Sequence, residues 1–398
     1  MIHIAIVATW QYRMGMNPAL IERVREVIGR AGPTQAAQAE RLGMSPDKLS
    51  KSLSGVRRFT SLELALLAEA AGTTVDWLIS GREPRAAINV AARRNGEGAS
   101  TQSDARAILA RYENIIDALM RLGYALPKPR TSPSIADGAA RAVDQGEQLA
   151  QVALEALGVF PSACTNEKLA NLCEEAYGVQ IASTELPDGL DGVAWAPKDF
   201  RLIVVAKTAK WTRQRFTLAH ELGHVLAGDA QDIVVENLSP GIQQSLSEVR
   251  ANAFAAAFLM PCDAVAKDAH GGMDASEIGR LSWKYRVSPS AMATRLKALK
   301  LIDAETRKEA LGVTTREAAH TAGQLAEHLQ YAKAGEQGWA PKVMSILATR
   351  AYLQGDLSVR PLASLWEVDP ETLLDVLEPA KEPVLEPTAA ETGLVFTP

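Results

Sequence analysis

The stretch TRQRFTLAHELGHVLAGD, residues 212–229, carries more structural information than any other part of this chain. Thr212 is a suitable N-cap, and Gly228 followed by Asp229 is a suitable stop, so a helix is predicted between them. The apolar residues of the stretch recur at spacings that form one side of a helix and would anchor it in a core. They are Phe216, Leu218, Ala219, Leu222, Val225 and Leu226.

Two histidines of this stretch, His220 and His224, lie one helical turn apart, with Glu221 beside the first. This HExxH spacing places two imidazoles on one helix face, where they bind Zn²⁺, and places a carboxylate where a general base is needed. The other four histidines occur singly or eight residues apart. A structural zinc site usually has four Cys or His ligands, and no suitable cysteine is near. The pattern therefore favours a catalytic zinc centre that leaves one position open for water.

The third metal ligand must come from sequence that follows this helix. A metzincin would have Gly at position 227 and His at position 230, and both positions are Ala, so that class is excluded. Residues 245–258 have a strongly helical composition that places Glu248 and Asn252 on one face. Glu248 is predicted as the third ligand, and Asn252 as a partner that holds Glu248 or a ligand histidine. Two other carboxylates remain open as alternatives, Glu236 and Asp232.

The segments RFTLAHELGH at 215–224 and ExxANAFAAAFLMP at 248–261 resemble the ImmA/IrrE family of metallo-endopeptidases. The predicted domain covers residues 159–301. The resemblance implies a gluzincin-like site in which His220, His224 and Glu248 hold zinc and Glu221 is the general base. In members of this family, the peptidase is associated with the cleavage of helix-turn-helix repressors. The resemblance therefore implies a protein substrate of that type.

A second motif lies in the predicted domain 17–82. Residues 34–42 form a predicted helix, and Ser45 with Pro46 supply the N-cap and first position of a second helix that ends near Gly55. Five short helices are expected in this domain, and the central pair has the arrangement of a helix-turn-helix.

The segments TQAAQAERLGMSPDKLSKSLSG at 34–55 and LxLLAEAAGTTVDWLISG at 64–81 resemble the XRE, lambda-repressor-like DNA-binding domain. Residues 45–60 contain four basic residues and one acidic residue, a local charge of +3. This patch predicts contact with phosphates and base edges of double-stranded DNA. The candidate contacts are Gln35, Lys48, Ser50, Lys51, Arg57 and Arg58.

Residues 83–158, between the two motif-bearing domains, are predicted as a linker followed by a helical hairpin. Residues 93–100 have the composition of a flexible hinge. Ser103 is the predicted cap of a helix over 103–122 whose apolar residues recur every three or four positions. They are Ile108, Tyr112, Ile115, Leu119 and Leu122. This stripe predicts packing either on the neighbouring helix 138–157 or on a second protomer of a homodimer.

The peptidase domain is predicted to contain a small sheet beside the zinc helix. A helix over 166–177 is followed by an edge strand around 179–181, and residues 192–196 and 202–205 read as two further strands. An extended substrate could add to the edge of this sheet by main-chain hydrogen bonds.

The two ends of the chain have different compositions. Residues 302–378 are predicted as a helical C-terminal region with helices over 319–333 and 341–354, and residues 379–398 as a disordered tail. Residues 1–16 are interpreted as an artefactual start, since two later methionines offer alternatives. The first ten residues are too short to span a membrane and lack the basic start of a signal peptide.

The composition is that of a globular protein, with 398 residues, of which 47% are hydrophobic. The fold class is predicted as mainly α with a small α+β zinc-peptidase domain. Three cysteines form no CxxC pair and leave an odd thiol, which favours the reducing cytoplasm. The net charge of −5 excludes a protein that coats nucleic acid uniformly, so DNA contact must come from a local patch.

Together these features predict a cytoplasmic regulator that binds DNA and uses Zn²⁺ to cleave a protein, either a helix-turn-helix repressor or its own linker. No membrane association is expected. The alternative is a transcription factor or antitoxin-like repressor whose peptidase fold senses a metal or binds a partner without proteolysis.

Overall fold

The computed structural model describes residues 18–31, 39, 44–70, 75–80, 91–94, 100–128, 141–231, 245–270 and 273–377. The chain divides into two compact units, Met1–Ile88 and Asn89–Pro398. The described residues are mainly helical, with one small sheet in the second unit, as the predicted fold class requires.

The N-terminal unit has four described helices, α1 (Pro18–Ala31), α2 (Pro46–Leu53), α3 (Ser61–Ala70) and α4 (Val75–Ser80). Helix α2 starts as predicted, because the Ser45 side chain accepts a hydrogen bond from the Lys48 amide and Pro46 occupies the first position. Gly55 follows the helix with φ +78°, a conformation that favours glycine.

The helices of the N-terminal unit share one hydrophobic core. Its buried residues include Val24, Leu49, Leu53, Leu67, Trp77 and Leu78. The predicted helix over 34–42 lies outside the described residues except for Ala39, which is buried in this core.

The second unit is built around a sheet with the strand order β1-β3-β4-β2. The strands are β1 (Ala91–Arg94), β2 (Gln180–Thr184), β3 (Leu190–Trp195) and β4 (Leu202–Ala206). Strand β3 pairs antiparallel with both β1 and β4, whereas β2 pairs parallel with β4. The predicted edge strand near residue 181 is confirmed by β2. Strands β2, β3 and β4 are almost entirely buried, as expected for a sheet covered by helices.

Strand β1 corrects the prediction of a hinge over residues 93–100. Arg93 and Arg94 belong to this strand, in which Ala92 lies opposite Val193. Residues 95–99 lie outside the described residues. The local composition is typical of a loop, but main-chain pairing with an available strand edge overrides local propensity.

The described part of this unit from Ser100 to Asp268 contains six α-helices, and α8 contains the HExxH motif. They are α5 (Ser100–Arg121), α6 (Ala142–Leu157), α7 (Asn166–Tyr177), α8 (Trp211–Ala227), α9 (Leu246–Leu259) and α10 (Cys262–Asp268). Helix α7 has the predicted bounds, and Gly228 ends α8 as predicted, with φ +81°.

The start of α8 differs from the prediction that Thr212 is its cap. Lys210 occupies the N-cap position without a side-chain cap, and Thr212 lies inside the first turn. Trp211 is buried and packs edge-on against Trp283, with ring centroids 5.6 Å apart. Tertiary packing of Trp211 therefore compensates for the absence of a capping side chain at this end.

Eight further helices follow in the described residues up to 377. They are α11 (Ala275–Tyr285), α12 (Pro289–Ala298), α13 (Ala304–Ala310), α14 (Thr315–Thr321), α15 (Leu325–Gln337), α16 (Lys342–Leu353), α17 (Val359–Trp366) and α18 (Pro370–Leu377). The single helix predicted over 319–333 is two helices, α14 and α15, because the chain turns at Gly323 with φ +69°. Helix α16 confirms the one predicted over 341–354. The predicted tail lies outside the described residues.

Helix α5 starts at Ser100 rather than at Ser103, and its apolar stripe packs within the chain. Tyr112, Ile115 and Leu119 are buried, and α5 contacts α16 and α17. Most of the stripe is therefore packed against α16 and α17, which corrects the predicted packing on the helix over 138–157, and the homodimer stays a prediction.

Helix α6 packs against α9. The two backbones approach closely at Gly146, where a Cβ atom would lie 2.3 Å from the carbonyl oxygen of Arg250. Only glycine fits at this contact, which positions α9 and therefore the residue predicted as the third metal ligand.

A buried carboxylate joins the C-terminal helices to the sheet. Glu174 is 1% exposed and accepts hydrogen bonds from the amides of Ile181, Lys342 and Val343. It therefore satisfies the first amides of α16, a helix that would otherwise begin with unpaired donors. Burial raises the pKa of Glu174 to about 7, despite the opposing effect of these hydrogen bonds.

Glu174 is expected to make stability depend on pH. Since its folded pKa is above the ordinary value of about 4.3, its contribution is full below pH 4 and is lost as the pH rises to about 7. The free energy of unfolding of the wild type, relative to Glu174→Gln, should fall by about 3 kcal/mol between pH 4 and pH 8. Urea unfolding at both pH values measures this difference, and parallel pH profiles for the two proteins would contradict it.

No single helix in the described residues is long and apolar enough to cross a membrane. Helices α9 and α10 are joined at a 51° bend. They have the length and apolar composition of a membrane span only when taken together.

Candidate metal centre

Helices α8 and α9 bring together the three side chains that sequence predicts as ligands. Nε2 of His224 lies 3.1 Å from Nε2 of His220 and 3.0 Å from Oε1 of Glu248. All three residues are buried, and one ligand atom from each lies within 4.8 Å of the others. Glu236 and Asp232, the alternative third ligands, lie outside the described residues.

The close approach of the two helices depends on the glycine of the HELGH motif. A Cβ atom at Gly223 would lie 3.0 Å from the ring of Phe254 and 3.3 Å from Cα of Ala251. Both of these residues belong to α9, which also carries Glu248. Gly223 therefore lets α9 come near enough for its carboxylate to reach the histidines.

The first turn of α9 places Glu248 in this cluster. The Ser245 side chain caps the helix by accepting a hydrogen bond from the Glu248 amide. The cap involves only the main-chain amide of Glu248. The side chain of Glu248 is therefore available to contact His224 of α8.

Glu221 lies between the two histidines in sequence and is 2% exposed. Its side chain faces strand β3, where a Cβ atom at Gly192 would lie 3.2 Å from Oε1 of Glu221 and 2.5 Å from Cγ2 of Thr217. Glycine at 192 therefore allows the strand to pass directly beside this carboxylate. Sequence reasoning did not identify Gly192, since the contact joins two elements whose approach cannot be read from spacing.

Asp229 is a further member of the cluster that was predicted only as part of the helix stop. Its Oδ2 lies 3.6 Å from Nδ1 of His224, within ion-pair range, and its Oδ1 lies 2.5 Å from Nη2 of Arg250. Arg250 also donates a hydrogen bond to Gln145 of α6. This chain of contacts orients the His224 ring with Nε2 toward Glu248, as outer partners of metal ligands do. Its signal in the sequence was an acidic residue directly after the helix-ending glycine.

Asn252 lies one turn after Glu248 and is half-buried. In the described residues no hydrogen bond joins it to Glu248 or to either histidine. It lines a neighbouring cavity of about 1080 Å³. Asp229 is therefore better placed than Asn252 to hold a ligand histidine, which is the role predicted for Asn252.

That cavity lies between α8, α9 and α12, and its lining does not include the ligand residues or Glu221. Thr217 and Asn252, each one turn from Glu221 and Glu248 respectively, line it. Its walls also include the apolar side chains of Phe216, Ala253 and Ala256. Space for several side chains of a ligand is therefore available one helical turn from Glu221 and Glu248.

The charges of the cluster favour a cation. Burial lowers the pKa of His224, but the neighbouring Asp229 and Glu248 carboxylates outweigh burial and raise it to about 10. Burial raises the pKa of Glu248, but its hydrogen bonds with His220 and His224 hold it well below the ordinary value. A divalent cation can supply the same positive charge in place of protons. Two imidazoles and one carboxylate that converge in a buried site therefore fit Zn²⁺ by chemistry and by number.

Replacing Asp229 by Asn is expected to weaken zinc binding by roughly 10–100-fold, because the carboxylate that orients His224 is lost. Competition titration with a chromophoric chelator measures this change. Wild-type affinity in Asp229→Asn would contradict the orienting role, and Asp263→Asn, an exposed position on α10, serves as the control.

Residues 174–297 match the family model of the IrrE N-terminal-like domain, Peptidase_M78. Peptidases of this family are typically metal-dependent. The matched range contains both histidines and Glu248, and it confirms the predicted resemblance for the peptidase part. Comparison with curated proteins finds no match. The N-terminal unit lies outside the matched range, so its resemblance to XRE domains stays a prediction.

The structure also locates most of the residues predicted to contact DNA. Lys48, Ser50 and Lys51 are exposed on α2, and Arg58 is exposed after it. Gln35 lies outside the described residues.

Arg57 differs from the other candidates for DNA contact. Its guanidinium donates hydrogen bonds to both carboxylate oxygens of Glu63, at 2.8 and 2.9 Å, and another to Ser52. A bidentate pair of this kind is strong and well oriented. Arg57 therefore also supports the fold of the N-terminal unit, and its contact with DNA stays a prediction.

Proposed function

We propose that residues 159–301 form a zinc-dependent endopeptidase in which His220, His224 and Glu248 hold the ion. The observation that carries this proposal is the convergence of these three buried side chains beside a fourth, Glu221. When bound, Zn²⁺ supplies Lewis-acid polarisation of a carbonyl and activation of water near neutral pH.

Glu221 is proposed as the general base and acid. Its carboxylate takes a proton from the attacking water and returns it to the nitrogen of the leaving amine. Its position against Gly192 supports this role, since an extended main chain on β3 would run beside the carboxylate. Asp229 holds His224 in the orientation that metal binding requires.

The proposed substrate is a segment of a protein. The cavity lined by Thr217 and Asn252 has several apolar walls and room for more than one side chain, which suits an apolar stretch of polypeptide. A repressor of the helix-turn-helix type is the first candidate, on the ground of the family resemblance. The chain's own linker is the second.

Incubation of the zinc-loaded chain with a candidate helix-turn-helix repressor, and separately with fluorescein-labelled casein, tests the proposal. Hydrolysis should stop on chelation and return when Zn²⁺ is restored. A zinc-loaded chain that leaves both proteins intact would count against an endopeptidase.

We also propose that the N-terminal unit binds double-stranded DNA through α2. Lys48, Ser50 and Lys51 are exposed on one short helix, and Arg58 adds a further cation. Lys51 pairs with Asp47 at 2.8 Å, but the pair is exposed. Exposed ion pairs contribute about 1 kcal/mol or less, so a phosphate can replace the carboxylate.

The double variant Lys48→Ala with Lys51→Ala is expected to weaken DNA binding and to lower the slope of log affinity against log salt by about 2. Each lost phosphate contact removes roughly one counterion from the release. Fluorescence anisotropy with a labelled 30-base-pair duplex at several salt concentrations measures both quantities. Lys297→Ala with Lys300→Ala, at exposed positions at the end of α12, is the matched control. Equal slopes for the wild type and the α2 variant would exclude α2 as the DNA contact.

A further inference from the structure

Segments of the chain itself lie along both outer edges of the sheet. On one side Ser183 of β2 exchanges two main-chain hydrogen bonds with Trp339, at 2.8 and 3.1 Å. On the other side β1 pairs with β3. In the described residues, β2 is therefore partly covered by Trp339, and β1 covers the side of β3 that faces away from β4.

The edge of β3 is the one beside the proposed catalytic base. Gly192 of β3 is so close to α8 that an added Cβ atom would contact both Thr217 and Glu221. An extended peptide that added to this edge would run along the site, because β3 itself does. The opposite edge belongs to β2, which two strands separate from β1.

The main chain of β1 takes the place that such a peptide would take. Ala91 lies opposite Ala194 and Ala92 opposite Val193, in an antiparallel ladder. The register shifts between Ala92 and Arg94, and Leu190 is the next partner. The irregularity therefore falls opposite Gly192, the residue that lies against Glu221.

We propose that the outer edge of β3 is the main-chain subsite of the peptidase, and that residues 91–94 occupy it as an intramolecular competitor that a protein substrate must displace. This inference rests on the proposed endopeptidase function and adds regulation to it. Strand addition binds a peptide through the same amides and carbonyls that β1 uses, so the two cannot be present together.

The length of β1 suits a displaceable segment. Four residues form few ladder bonds, and the ladder is interrupted by its register shift. A longer extended substrate would make more main-chain hydrogen bonds along the same edge. Only molecules in which β1 has left the edge can bind a substrate there. The apparent affinity for the substrate is therefore the intrinsic affinity multiplied by the fraction of such molecules.

A reversible cross-link between the two strands tests this inference. Ala91 and Ala194 are directly opposed, and opposed residues of an antiparallel pair are near enough for a disulfide after small adjustment. The variant Ala91→Cys with Ala194→Cys is made in the full chain, with Cys262→Ser to remove the exposed native thiol. Mass spectrometry verifies the bridge.

Two readouts keep this inference separate from the proposed function. The first is binding of a fluorescein-labelled peptide with the sequence of residues 88–97, INVAARRNGE, to the zinc-free protein that also carries Glu221→Gln. The second is hydrolysis of labelled casein by the zinc-loaded protein with Glu221 intact. The bridged form should show at least about a 10-fold loss in both, and reduction should restore both.

A second variant releases the edge instead of locking it. Ala92→Pro removes a main-chain amide and disfavours the strand, so peptide affinity should rise by about 10-fold if β1 is bound in about nine molecules of ten. Ala92→Val, which keeps the amide and favours a strand, should match the parent protein.

The outcomes are distinct. Peptide binding that is equal in the bridged and reduced forms, or absent from both, would overturn the inference. Cleavage within residues 91–94 would also overturn it, because a competitor stays intact. Binding that the bridge blocks, with no hydrolysis of any substrate in the reduced form, would uphold the subsite while the proposed peptidase function fails.

Discussion

Replacing Glu221 by Gln is expected to lower the rate of protein hydrolysis by roughly 10²–10⁴-fold, the usual contribution of general acid–base catalysis. The amide cannot take the proton from water, although it has nearly the shape of the carboxylate and fits beside Gly192. Zinc content and thermal stability should stay near those of the wild type, because Glu221 is not among the three converging ligand residues. Initial rates on labelled casein, together with metal analysis, measure both parts of this expectation.

The matched control for this substitution is Glu167→Gln on α7, where the carboxylate is exposed. It makes the same chemical change in the same domain and should leave the rate unchanged. A Glu221→Gln variant that retains wild-type turnover with full zinc content would contradict the assignment of the base.

Replacing Glu248 by Ala is expected to remove the third ligand and to weaken zinc binding by more than the roughly 10–100-fold expected for an outer partner such as Asp229. Two imidazoles alone leave the ion without its carboxylate charge. The fold of α9 should persist, because the cap at Ser245 is made with the amide of residue 248 and not with its side chain. Hydrolysis should be lost along with the metal, and chelator competition measures the affinity.

Asn252→Ala, one turn further along α9, is the control for Glu248. Asn252 lines the cavity but does not join the cluster, so zinc affinity should be unchanged. Unaltered zinc affinity in Glu248→Ala would exclude Glu248 as a ligand and would favour Glu236 or Asp232.

The local parts of the site could be predicted because they depend on spacing within single helices. His220 and His224 converge since they are four residues apart on a helix, and Glu221 follows from the same motif. Glu248 could be chosen because a second helix offered a carboxylate near its start. Asp229 was missed as a partner of His224, since that contact depends on how the chain turns after Gly228.

Tertiary contacts decided the elements that were predicted incorrectly. The stripe on α5 has a spacing that suits either a second protomer or another helix of the same chain, and periodicity does not distinguish them. The sequence around Arg93 lacks β-branched and aromatic residues, and it forms a strand only because β3 offers an edge. Arg57 was predicted only as a DNA contact, and its bidentate pair with Glu63, six residues later in sequence, was not foreseen.

The central claim is that this chain cuts proteins with the base at Glu221. Mass spectrometry of new protein termini, in cells that produce either the wild type or Glu221→Gln at equal levels, tests it most directly. The account predicts termini found only with the wild type, within a small number of proteins that include a helix-turn-helix repressor. Identical termini in the two cell lines, with the wild-type protein isolated in its zinc-bound form, would contradict it.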